Sequence, residues 1–107
     1  MEEKEIASIV QKCKQILAGY YGTRLKGVIL YGSRARGDAT QDSDIDLLVL
    51  LSSPIDYFAE LRQIVDMLYP IQLESEQLIS AKPAPVRDYE MGSISLYRNV
   101  QREGVAV

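Results

Sequence analysis

The 107-residue sequence has no histidine, no tryptophan, one phenylalanine and one cysteine. Without histidine the commonest general base and the commonest zinc ligand are both missing. Any chemistry must come from carboxylates, hydroxyls, lysine, arginine or a bound metal. The single cysteine, Cys13, cannot form an internal disulfide, and its helical phase suits a small core residue better than a nucleophile. No apolar run reaches the roughly 20 residues that span a bilayer. Met1-Glu2-Glu3-Lys4-Glu5 is not a signal peptide, so no membrane association and a cytoplasmic location are expected. A basic excess is also absent. The net charge of -3 argues against binding nucleic acid across the whole surface, and no direct nucleic-acid partner is expected. Hydrophobic residues at 47% suffice for a modest core in one domain, residues 1–107.

Ile6, Ile9, Val10, Cys13, Ile16 and Leu17 recur at spacings of three and four and predict an amphipathic helix over 4–18. Glu2, Glu3 and Glu5 suit the positive end of its dipole. Gly19 and Gly22 bracket a break. Residues 25–31 read as a strand, 32–43 as a polar connection with a short helix after Ser33, and 45–51 as a central strand. Ser53 is expected as N-cap and Pro54 as first residue of the next helix. Ile55, Phe58, Leu61, Val65 and Leu68 form its apolar stripe, and Tyr69-Pro70 its end. A third strand is expected at 71–79, with Gln72, Glu74, Glu76 and Leu78 on one face. Lys82-Pro83-Ala84-Pro85 reads as a stiff turn. A last helix is expected over 93–102, stopped by Gly104, and the apolar tail Val105-Ala106-Val107 suits pairing with another strand or chain. The order predicts an α/β (α+β) domain, a small mixed sheet with helices packed on it.

The densest information lies between the first two strands. Side chains two apart on a strand share a face, so Asp44 and Asp46 project together from the start of the second strand. Two close carboxylates repel unless a cation sits between them. Mg2+ takes carboxylate oxygens and leaves room for phosphate oxygens. Upstream, Gly32 allows close backbone approach, and Ser33 offers a hydroxyl and nearby amides to phosphate. Arg34 and Arg36 can add positive charge towards phosphates, although each could equally sit on a solvated face. These residues point to a Mg2+-dependent nucleotide site. Tyr31 is expected to pack beneath it.

Gly32-Ser33, ten intervening residues, then Asp44-Ile45-Asp46 resembles the signature of the minimal nucleotidyltransferases (MNT) of the polymerase β superfamily. The resemblance covers about residues 25–80 and extends to the flanking Arg34-Ala35-Arg36-Gly37 and Leu47-Leu48-Val49. It implies the polymerase β-like nucleotidyltransferase fold. It implies an enzyme that transfers a nucleoside monophosphate, with ATP the expected donor by family alone. Asp44 and Asp46 would hold Mg2+. Active relatives use a third carboxylate on a neighbouring strand as metal ligand and proton acceptor. On the expected third strand that role falls to Glu74, with Glu76 the alternative. The chain is too short to include a substrate domain, so the acceptor is expected on a partner. The resemblance implies a HEPN-type ribonuclease toxin, neutralised by addition of AMP to a tyrosine. The alternative is a non-catalytic antitoxin that blocks its toxin by docking.

Overall fold

The computed structural model describes residues 3–107; Glu2, expected near the first helix start, lies outside them. The chain runs α1 (Glu3–Tyr21), a 3-10 turn (Gly22–Arg24), β1 (Leu25–Tyr31), α2 (Ser33–Arg36), β2 (Ile45–Leu51) and α3 (Tyr57–Glu74). It continues β3 (Ile79–Pro85), α4 (Val86–Met91), α5 (Ser95–Glu103) and β4 (Val105–Ala106). The sheet order is β3-β2-β1-β4. β1 is antiparallel to β2 and to β4, while β2 is parallel to β3. This is the mixed sheet with packed helices that the element order implied.

Alternation along β2 divides the core. Ile45, Leu47, Val49 and Leu51 join Ile9, Val10, Cys13 and Leu17 of α1 and Ile64, Leu68 and Ile71 of α3. Leu48 and Leu50 point the other way, to Ile29, Ala84 and Tyr97 and Val100 of α5. Cys13 is fully buried, and burial pushes its thiol up to about 11, which makes it an inert core residue. At the far end of the α1–α3 layer, the Tyr21 hydroxyl and Arg24 donate to Glu60 at 3.0 and 2.7 Å.

The second half departs from expectation in four places. Asp56, not Ser53, caps α3 by accepting from the Ala59 amide at 3.3 Å. The helix then passes through Pro70 to Glu74. Pro70 is exposed, where water can serve the carbonyl its ring leaves unbonded. The buried positions Ile64, Leu68 and Ile71 keep the spacing of a helix face. Phe58 and Val65, expected inside, are exposed. The third strand is therefore not 71–79 but 79–85, over the segment expected to be a turn. Its prolines are tolerated because β3 is an edge strand. The last helix forms as expected, as α5 ending at Gly104, but an additional helix, α4, precedes it and ends at Gly92. The tail pairs as β4 with β1, Ile29 opposite Ala106 and Leu30 opposite Val105.

Candidate active site

Asp46 sits in β2 between two neighbours, opposite Tyr31 of β1 and Ser80 of β3. Its side chain shares the face of Leu48 and Leu50, since the odd-numbered residues of β2 fill the other core. Asp44, two residues earlier, is exposed, and Asp46 is partly covered. Asp46's carboxyl is raised above its ordinary value, first by burial and then by the charge of Asp44; Lys82 and Arg36 pull it back down. Asp44 lies just before the strand rather than in it, and its charge still reaches Asp46.

The chain turns sharply at Gly32, whose φ is +75°. A side chain there would meet the Asp46 carboxylate, with Cγ 3.3 Å from the added Cβ. Only glycine gives both this conformation and this approach. Gly32 caps α2, and its carbonyl accepts from the Ala35 and Arg36 amides at 3.1 Å each. The Ser33 and Arg34 amides open the helix with no partner inside it, on the turn that abuts Asp46. Tyr31, just before the turn, has a buried hydroxyl without a partner among the described residues. Burial, followed by the charges of Asp46 and Tyr57, pushes it up to about 12.

The arginines sit differently from one another. Arg34 is a strut for the loop that delivers the acids: its Nε and Nη2 donate to the Ser43 carbonyl at 3.2 and 2.8 Å, and Nη2 also reaches Thr40. Arg36 is exposed and pairs with Asp38 and Glu103 at 3.3 and 3.2 Å. It lies near enough to Asp46 to lower its pKa. Thr40 and Ser43 lock the loop further, the Thr40 amide donating to Ser43 Oγ at 2.9 Å. Buried Gln77 ties it to the rest of the chain by donating to the Gln41 carbonyl. Gln77's part could not be read in advance, because nothing in the sequence pairs it with a loop 36 residues away.

The expected third carboxylate is not beside the pair. Glu74 is the last residue of α3, and its carboxylate meets Lys12 of α1 at 3.1 Å. That places it on the α1–α3 side of the sheet, away from the aspartate face. Glu76 is exposed in the following loop. Both were read onto a strand that is in fact helix and loop. Among the described residues no group of three histidine, cysteine, aspartate or glutamate side chains is placed to hold a metal. Two neighbouring carboxylates, Asp44 and Asp46, still suit one Mg2+, which binds through one or two carboxylates and takes its other oxygens from water and phosphate. A cleft of about 440 Å³ exists elsewhere, between α1, Leu30, Val107 and the 37–41 loop. Neither aspartate lines it.

A strand, a glycine turn against an acid, and a second strand opening with paired acids form a family's signature. The family model for "Polymerase beta, Nucleotidyltransferase" matches residues 11–107. The chain belongs to the polymerase beta nucleotidyltransferase family. It is a nucleotidyltransferase of the minimal type, and the family implies a nucleotide substrate and, usually, a divalent metal. Among similar proteins is "Putative protein adenylyltransferase MJ0604" of Methanocaldococcus jannaschii, 36% identical over 96% of this chain and 94% of its own. Two more from the same organism carry the same description. MJ1379 is 35% identical over 73% of this chain and 77% of its own, and MJ0141 is 33% identical over 71% and 76%. Among the described residues no helix is long and apolar enough to cross a membrane.

Proposed function

We propose that this nucleotidyltransferase moves AMP from ATP, with Mg2+, onto a tyrosine hydroxyl of a HEPN-type ribonuclease toxin and so acts as its antitoxin. The observation that carries the reading is the Gly32 backbone seated against Asp46 with Asp44 alongside. This leaves a charged notch between a phosphate-accepting turn and a carboxylate pair. The relatives named as putative protein adenylyltransferases support ATP as donor and a protein as acceptor. The HEPN partner rests on the resemblance of the motif alone, and the cytoplasmic location on the N-terminal sequence and the short apolar runs.

In the reaction the tyrosine oxygen bonds to the α-phosphorus and the bond from that phosphorus to the β-phosphate bridging oxygen breaks. The electron pair leaves with pyrophosphate. With Glu74 and Glu76 elsewhere and Asp44 and Asp46 committed to the cation, the tyrosine proton is assigned to solvent water at the open notch. Mg2+ supplies charge for the triphosphate when bound. Asp44 and Asp46 would hold it, and Ser33 and the turn amides orient the phosphates.

The test uses purified protein, ATP labelled at the α-phosphate, Mg2+ and the HEPN protein encoded beside it. Label on the partner, lost with Asp44→Ala plus Asp46→Ala, supports the reading. Partner inhibition that survives in the double mutant, with no label in either case, overturns it in favour of docking. The lack, among the described residues, of a third carboxylate near the pair is the observation that favours that second reading.

A further inference from the structure

β3 runs beside the aspartates, and its register decides what it shows them. Ser80 lies opposite Asp46, Lys82 opposite Leu48, and Ala84 opposite Leu50. Ala84 is buried with Leu48 and Leu50, whereas Ala81 belongs to the other core. Ser80, Lys82 and Ala84 therefore share the aspartate face. Where the resemblance implies a third acid, this strand offers a hydroxyl and an ammonium.

Lys82 is half-buried. Among the described residues it enters no ion pair and no side-chain hydrogen bond, yet its charge reaches Asp46. Arg36 also reaches Asp46, but its guanidinium is held by Asp38 and Glu103. Two carboxylates balance one divalent cation, and among the described residues no further acid is placed to hold a second. Position adds a direction. Tyr31 and the Gly32-Ser33 turn flank Asp46 on the β1 side, and Ser80 flanks it on the β3 side with Lys82 the next residue along on the same face. The phosphate tail at the turn would put the reacting end of a nucleotide towards Lys82.

We propose that Lys82 binds the α-phosphoryl group as a fixed cation in place of a second metal, so that the site works with a single divalent ion. The proposal rests on the transferase reading of the same site. Lys82 holds a non-bridging α-oxygen while the bond to pyrophosphate breaks, as a compact charge suited to phosphate.

The test measures Mn2+ binding by electron paramagnetic resonance, with the α,β-methylene analogue of ATP, on wild type, K82M and K82R. One Mn2+ per protein–nucleotide complex supports the proposal, and two would overturn it. K82M keeps the length of the side chain and removes the charge. It should weaken analogue binding about tenfold or more, with K82R restoring most of the loss. Unchanged binding in K82M, with a wild-type thermal transition, contradicts the role of Lys82 alone. If wild type itself binds no Mn2+–nucleotide, the transferase reading fails first.

Discussion

Under α1 and α3, β2 presents Ile45, Leu47, Val49 and Leu51, none of them exposed. Under α4 and α5 it presents Asp46, Leu48 and Leu50, with Asp44 just before the strand. The first face is covered by two long helices along its length. The second is covered by two short ones, whose packing reaches Ile29, Leu48, Leu50 and Ala84 but leaves Asp44 exposed. One face is insulation for the fold, and the other is an apolar patch that stops short of a charged notch. Leaving the notch open is what lets two like charges exist side by side, because water or a cation can reach them.

Cavity mutants should separate the faces by stability. Leu47→Ala, on the thick side, should lose about 3–4 kcal/mol in urea unfolding, and Leu50→Ala, on the thin side, about 2–3 kcal/mol. Equal losses would mean that the two layers are equally packed. At the notch, Gly32→Ala adds a methyl against the Asp46 carboxylate in a backbone conformation that strains alanine. Nucleotidyl transfer should fall about 100-fold or more through displacement of the acids, with about 1–3 kcal/mol lost in folding. Near-normal transfer would show that the turn has room the structure does not allow. The smallest effect concerns charge. Asp46's folded pKa lies above its ordinary value, so the native state holds its proton more tightly than the unfolded chain. Its contribution to stability is full below the ordinary value and is lost as pH rises through the raised one. In EDTA, Asp46→Asn should melt a few degrees higher than wild type at pH 7, and the gap should close below about pH 4. A lower melting temperature at pH 7 would mean that the carboxylate is stabilised in the fold rather than strained.

The same contrast explains what the sequence disclosed. The face of Asp46 could be read from period two alone, since β2 is regular and its neighbours are apolar. The first helix could be read from its stripe. The third strand could not, because local signals pointed the wrong way. Pro70 reads as a stop, but an exposed proline within a helix anchored by Ile64, Leu68 and Ile71 is carried through. Pro83 and Pro85 read as a turn, but an edge strand does not need those amides. With the strand misplaced, Glu74 and Glu76 came forward and Lys82 stayed hidden. Arg34 reads from sequence as a charge for phosphate or for a solvated face, because only its charge is visible there. Its hold on the Ser43 and Thr40 carbonyls depends on a loop shape that is not.

The decisive experiment loads 15N-labelled protein with Mn2+ and the methylene analogue of ATP and records which amides broaden. Broadening strongest at Gly32, Ser33, Asp44 and Asp46, and weakest at Ile9, Cys13 and Leu17 beneath the thick layer, is the expected outcome. Broadening centred instead on Ile6, Val10 and Thr40, around the separate cleft, would contradict the placement of the site.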